Sequence, residues 1–267
     1  MKEYPSGFAP FMERMRREGL PRLFVDSFAH YYRQLAEGET GLIAEKDIRP
    51  LSFPPDLEQL GAGLDKAGKQ ALTKTVLIKL NGGLGTSMGL ETAKSLLQVR
   101  EGLTFLDVIA RQAIRAKVPL VLMNSYATSS DSLEALRVYP RLARRGIPLS
   151  FLQHKEPKIL QDDLQPAKWP ANPALEWCPP GHGDLYIALV TSGLLLSLIE
   201  AGFEYAFVSN SDNLGADLDA SILGYVVENE IPFLMEVADR TEMDRKGGHL
   251  AERQDGRLVL RESAQCP

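Results

Sequence analysis

Basic charge is not in excess in this chain. Lys and Arg total 30 against 35 Asp and Glu, a formal net charge of −5. Without a basic footprint, nucleic acid is a poor candidate for the main ligand. Cysteine is scarce too: Cys178 and Cys266 are far apart, which excludes a metal-ligand cluster or a disulfide framework and suits ordinary thiols in a reducing compartment. No apolar run approaches the length of a membrane span, and "MKEYPSGFAP" at the start carries no signal-like apolar segment. No internal repeat or low-complexity tract is present. These absences lead to the expectation of a soluble, cytoplasmic protein with no nucleic-acid or membrane partner. At 267 residues and 44% hydrophobic, the chain can bury a core of one large or two modest domains.

The first 60 residues read as a helical segment. "FAPFMERMRREG" and "LFVDSFAHYYRQLAEG" place apolar residues three and four apart and end at glycine. "IRPLSFPPDLEQLG" is a proline-broken connection, which sets a boundary near residue 60. Residues 61–267 alternate strands with helices. "TVLIKL", "VPLVLMNS", "IPLSFLQ", "EYAFVSNSDN" and "IPFLMEVAD" read as strands. "GLTFLDVIARQAIRAK", "SSDSLEALRVYP", "DLYIALVTSGLLLSLIEAG" and "DASILGYVVENE" read as helices, the third continuous to Gly202. "GHLAERQDGRLVLRES" reads as a hairpin turning at Asp255-Gly256. Continuous apolar strands between helices point to a mostly parallel sheet covered on both faces. Residues 154–182 fit neither period; a proline-rich stretch of that length with Trp169 and Trp177 suggests a lid or binding loop.

"KLNGGLGTSMGLETAKSLLQV" (79–99) follows an apolar strand and carries Gly82, Gly83, Gly85 and Gly89. Such a turn leaves several N–H groups pointing one way, a nest for phosphate that glycine lets a ligand approach closely. A Walker loop needs lysine directly after the last glycine, but Leu90 and Glu91 stand there. A dinucleotide fingerprint needs a crossover helix at once, whereas "LETAKSLLQV" reads as loop and a short extended piece. The remaining option is a nucleotidyltransferase loop, whose backbone cradles a triphosphate while a later lysine, Lys94, neutralises the phosphate under attack. Asp212, beyond the strand "EYAFVSN", stands where open α/β sheets bind ligands and suits magnesium, which favours one or two carboxylates plus phosphate oxygens. Asn210 and Asn213 beside it could serve sugar hydroxyls.

With "AKS", "TFLD", "PLVLMNS", "CPPGHGD", "SGLL", "FVSNSDNLGA", "MEV", "KGG" and "ESAQCP" following in order, the chain from about residue 75 onward resembles the UTP–glucose-1-phosphate uridylyltransferases (UDP-glucose pyrophosphorylases). The "GGQGTRLG"-like loop of the pyrophosphorylases for N-acetylated sugars is not found. The resemblance implies a Rossmann-like nucleotidyltransferase (GT-A-like) fold, a three-layer α/β/α sandwich with a mostly parallel mixed sheet preceded by N-terminal helices. It implies UTP and glucose 1-phosphate as substrates, UDP-glucose and pyrophosphate as products, Mg2+ as cofactor and a possible homo-oligomer. Leu80, Asn81, Gly82 and Gly83 would line the UTP site, the two glycines also facing the sugar phosphate. Lys94 would contact the UTP phosphates, Gln153 would read the uracil edge and Gly181 would pack by the base. His182 would touch the sugar phosphate. Asn210, Ser211 and Asp212 would hold sugar and ribose hydroxyls, Asp212 also serving as the metal ligand, and Glu262 would bind a glucose hydroxyl. The catalytic pair is then Lys94 and Asp212.

Two departures from the family stand out. Ala93 takes the place of a frequent proline before the loop lysine, which is expected to loosen the backbone there. The family also continues past residue 267 with an "NTNN" motif, a second phosphate-binding lysine and a C-terminal β-helix, so a truncated catalytic domain is expected. A uridylyltransferase for other sugar 1-phosphates, a nucleotide-binding module without turnover, and a dinucleotide-binding dehydrogenase are the alternatives.

Overall fold

The computed structural model describes residues 4–51, 55–61, 63–84, 92–144, 146–239, 241–242 and 247–267. In chain order the elements are α1 (Ala9–Arg17), α2 (Arg22–Ala36), β1 (Ile48–Pro50), α3 (Leu64–Ala71), β2 (Thr75–Asn81), β3 (Gln98–Arg100), β4 (Leu103–Thr104) and α4 (Phe105–Ala116). They continue with β5 (Leu120–Asn124), α5 (Ser129–Leu136), β6 (Ser150–Leu152), β7 (Glu156–Pro157), β8 (Trp177–Cys178), α6 (Leu185–Thr191), α7 (Leu194–Glu200), β9 (Tyr205–Asn210), α8 (Ala220–Glu228), β10 (His249–Arg253) and β11 (Leu258–Arg261).

Branched and apolar residues make β2 and β5 the centre of a four-stranded sheet, ordered β6-β5-β2-β9 and parallel at every pairing. Side chains alternate across a strand, so each strand supplies two cores. Leu77, Leu120 and Leu122 pack with Leu106, Ile109 and Ala113 of α4 on one face. Val76, Ile78, Val121 and Met123 pack with Leu185 and Ala188 of α6 and Leu194 and Leu198 of α7 on the other. This is the three-layer α/β/α arrangement expected. A capping box, in which Thr104 and Asp107 satisfy each other's backbone N–H, starts α4.

Two sequence expectations are corrected. The stretch 185–202 is not one helix: α6 and α7 are separate, turned by 66° relative to each other. Gly193 at the break has φ +77°, left-handed backbone that a helix cannot contain. The segment 231–239 is not a strand. Phe233, Met235 and Val237 are exposed there, and an apolar run without a neighbouring strand has no ladder to join. The hairpin forms as expected, yet it does not stand alone. β1 pairs with β10 in an antiparallel sheet ordered β1-β10-β11, and buried Arg261 pairs with Glu45 at 2.5 Å. Residues either side of position 60 therefore share one small sheet.

The long segment 154–182 is anchored. Lys158 N–H donates to the Glu176 carbonyl and Ala167 N–H to that of Lys158. α1 and α2 pack Phe8, Phe11, Phe24 and Phe28 together with Ile159 and Leu164. Arg14–Glu176 (3.1 Å) and Lys155–Glu18 (2.5 Å) add ion pairs. Trp177 is buried with the Lys155 ammonium over its ring, while Trp169 is exposed. No single helix among the described residues is long and apolar enough to cross a membrane.

Candidate nucleotide site at the strand ends

Parallel strands end together, so the carboxyl ends of β2, β5, β6 and β9 bring their following residues to one edge of the sheet. Register sets the pairs: Asn81 stands beside Asn124, and Leu80 beside Asn210. The Leu80 carbonyl accepts from Ser211 N–H at 3.1 Å, tying the turn after β9 to β2.

Asn81 is buried. Its Nδ2 donates to Asn124 Oδ1 (2.7 Å) and Ser132 Oγ (2.8 Å), and its carbonyl accepts from Thr128 Oγ1 (2.7 Å). Thr128 Oγ1 in turn accepts from Ser125 N–H at 3.0 Å. Satisfied polar groups at the end of an apolar strand hold the backbone rigidly where Gly82 begins.

Gln153, one residue past β6, donates its N–H to the Asn124 carbonyl at 2.8 Å. Its amide lies directly on Gly82: a Cβ at Gly82 would sit 2.0 Å from Gln153 Nε2. Only glycine permits that approach. Gln153 Oε1 is buried without a hydrogen-bond partner, as are Asn124 Nδ2 and Ser95 Oγ. A buried acceptor left without a donor is costly, and at a cleft it marks a place where a ligand donor fits.

The glycine loop closes on itself. Leu84 and Ala93 form an antiparallel bridge, and Lys94 N–H donates to the Gly83 carbonyl at 3.1 Å. Gly85 and Gly89, between these arms, lie outside the described residues, as does Lys246 of "KGG". Ala93 is fully buried with φ −57°, within the range of proline, so the backbone before Lys94 is held by packing and not loosened. Lys94 Nζ stands 3.8 Å from Asp212 Oδ2, with side-chain exposures of 38% and 44%. The loop lysine and the strand-end carboxylate, 118 positions apart by residue number, thus face each other at the mouth of the site.

Gly181 has φ +91° and leads into a short turn, His182–Asp184. His182 is exposed, whereas Asp184 is buried and accepts from His154 N–H (2.6 Å) and from the His154 ring at Nδ1 (2.8 Å). His154 stacks on Phe24, ring centroids 4.3 Å apart. This clamp fastens the residue after Gln153 to the turn that carries His182. Burial pushes the Glu156 carboxyl and the Cys178 thiol up from their ordinary ranges nearby. Asn210 and Asp212 are exposed and Ser211 is buried. Glu262 directly follows β11 of the other sheet and is not brought to the strand ends; its side chain and that of Gln265 close a capping box.

Sequence reasoning brought Asn81, Gly82, Gly83, Lys94, Gln153 and Asp212 to this edge. It missed Asn124, Ser125, Thr128 and Ser132. Their signal was present: polar residues directly after a fully apolar strand that pairs with the loop strand. It also missed Lys79, a charged residue inside β2.

No described group of three or more His, Cys, Asp or Glu side chains could hold a metal by itself. Among the described residues at the strand ends the carboxylate on offer is Asp212, a donor set that fits a magnesium ion held mostly by phosphate oxygens.

The family model described as UTP–glucose-1-phosphate uridylyltransferase matches residues 25–267. Among curated relatives, the potato (Solanum tuberosum) UTP–glucose-1-phosphate uridylyltransferase is 44% identical over 207 residues, 74% of this chain and 43% of that protein. The Saccharomyces cerevisiae enzyme of the same name is 44% identical over 203 residues, 73% of this chain and 40% of that protein. A solved UDP-glucose pyrophosphorylase variant from Leishmania major, in complex with UDP-glucose, superposes with TM-score 0.90 at 40% identity, covering 99% of this chain and 59% of that one. The matched stretch spans less than half the length of these two curated relatives. On the family match and these identities, the chain belongs to the UTP–glucose-1-phosphate uridylyltransferase family.

Proposed function

We propose that this chain binds UTP at the strand-end cleft and, with glucose 1-phosphate, forms UDP-glucose and pyrophosphate. The observation that carries the reading is the buried, unpartnered Gln153 Oε1 lying against Gly82. Uracil presents an N3–H donor beside carbonyl acceptors, which complements the Gln153 amide. Leu80, Asn81 and Gly82 would line the nucleoside side of the cleft, with Gly181 beside the base.

The chemistry is nucleotidyl transfer. A phosphate oxygen of glucose 1-phosphate forms a bond to the UTP α-phosphorus, and the bond from that phosphorus to the bridging oxygen breaks to release pyrophosphate. No general base is required, because a phosphate monoester with a second pKa of about 6 is mostly dianionic at neutral pH. The obstacles are charge repulsion and alignment. Lys94, facing the cleft mouth, would neutralise UTP phosphate charge, and the Gly82–Gly83 backbone would approach both phosphates. His182 would contact the sugar phosphate, with Asn210 and Ser211 on hydroxyls. Asp212, freed from its 3.8 Å partnership with Lys94 when phosphates enter, would hold Mg2+. Magnesium supplies charge neutralisation on the phosphate oxygens. We place the activity in the cytoplasm.

The test is direct: incubate the chain with UTP, glucose 1-phosphate and magnesium chloride and measure UDP-glucose. Product that requires all three supports the reading. UTP binding without product would leave a nucleotide-binding module, and neither binding nor product would remove the reading altogether.

A further inference from the structure

Lys79 is the one position in β2 where a charge sits inside the sheet. It is 1% exposed, among the largest fully buried side chains of the protein. Its ammonium donates to Ser209 Oγ of β9 at 2.6 Å and to the Ala216 carbonyl at 3.2 Å, and lies 5.9 Å over the Phe207 ring. No described carboxylate pairs with it directly. Among the described residues Asp217 is the acidic group that bears on it, and that carboxylate is bonded to Arg115 of α4 at 3.3 Å. Burying an ammonium with only neutral acceptors costs stability, and an apolar residue of similar length would serve a plain sheet better.

What Lys79 touches is the turn after β9. Ala216, whose carbonyl takes the ammonium, gives its own N–H to Asn213 Oδ1 at 3.2 Å, and Gly215 N–H donates to the same oxygen at 3.1 Å. Asn213 adjoins Asp212. Ser211 is held from the other side by the Leu80 carbonyl. The chain of bonds runs from Lys79 to Ala216, to Asn213 and so to Asp212.

We propose that Lys79 is a positioning residue for the nucleotide site: its buried ammonium pins the 211–217 turn so that Asp212 stays opposite Lys94. This rests on the reading of the strand ends as a UTP site. Burial pushes the Lys79 pKa down to about 8, with Asp217 pulling it back up. Deprotonation removes the charge and one of three donors, so the pin weakens as pH rises through about 8. The same depression means that the unfolded chain binds more protons between about 8 and 10.5, so Lys79 makes the fold more stable with rising pH across that window. Stability and ligand affinity respond to this one group in opposite directions.

The experiment compares the wild-type chain with Lys79→Met and Ser209→Ala, using calorimetric titration with UTP and magnesium chloride, thermal melting, and amide hydrogen exchange. Lys79→Met should melt at or above the wild-type temperature yet bind UTP at least about tenfold more weakly. Its Gly215 and Ala216 amides should exchange faster even without ligand. Ser209→Ala, which keeps the ammonium but removes one acceptor, should shift both readouts the same way by less. Wild-type affinity should fall between about pH 7 and 9.5, while the pH trend of its stability relative to Lys79→Met rises. Wild-type affinity for UTP shared by Lys79→Met, with unchanged exchange at Gly215 and Ala216, would overturn the proposal and leave the UTP reading standing. If Lys79→Met does not fold, unchanged binding and exchange in Ser209→Ala would overturn it. A wild-type chain that binds no UTP would instead remove the site reading, and the amide exchange would still decide whether Lys79 pins the turn.

Discussion

The two halves of the strand-end cleft are built differently. On the β5 and β6 side, Asn81, Asn124, Thr128, Ser132 and Gln153 are buried, and all but a few of their polar atoms are paired. On the β9 side, Lys94, Asp212 and Asn210 are partly or fully exposed, and one long ion pair joins Lys94 to Asp212. A neutral base is best recognised by fixed neutral groups, because unmade hydrogen bonds in a dry pocket are expensive. Phosphates and a hydrated cation are better met by mobile charges that water can serve until the ligand arrives. The difference teaches that the buried half should govern which nucleotide binds and also stabilise the fold, whereas the exposed half should govern charge and leave stability alone.

The largest expected effect comes from breaking the buried half. In Gly82→Val the new side chain occupies the space of the Gln153 amide, where even a Cβ would be 2.0 Å from Nε2. UTP affinity by calorimetry should fall about a hundredfold or more, as when a reading group is displaced. Retained affinity would show that Gln153 does not read the base.

Asn81→Ala should act next most strongly, and on stability. It leaves Asn124 Oδ1 and Ser132 Oγ without their buried donor, a loss of about 1–3 kcal/mol in urea unfolding. Lys94→Ala sharpens the contrast from the exposed side. UTP binding should weaken about tenfold or more, as for hydrogen bonds to charged groups. The urea midpoint should stay where it was, because an exposed pair contributes about 0–1 kcal/mol. If Asn81→Ala were neutral to folding and Lys94→Ala were not, the division of labour would be reversed.

The smallest effect concerns the thiols. Burial pushes Cys178 up, whereas Cys266 is exposed. At neutral pH a thiol reagent should label Cys266 first, with Cys178 slower by about tenfold. UTP should slow Cys178 further, since it lies just before Gly181.

The sheet was legible because its strands are buried on both faces and so read as uninterrupted apolar runs. "TVLIKL" and "PLVLMN" could be read without knowing their neighbours. The 231–239 run has the same composition, but a strand exists only with a partner, which composition does not reveal. The α6–α7 break was hidden because Gly193 lies inside a long apolar stretch, where one glycine reads as tolerated. The pairing of β1 with β10 joins residues some two hundred positions apart and leaves no local mark. At the site, Gly82, Lys94 and Asp212 were legible from motif and resemblance. The Asn81–Asn124 pair depends on strand register, and Lys79 looked like an anomaly in an apolar strand until its acceptors on β9 and the following turn were placed.

The central claim is that a fixed Gln153 amide on Gly82 selects uracil. Calorimetric titration of the wild-type chain with UTP and then with CTP tests it most directly, since cytosine replaces the N3–H donor with an acceptor. The account predicts saturable UTP binding, with CTP weaker by about a hundredfold or more. Equal affinity for the two nucleotides, or no binding of UTP, would contradict it.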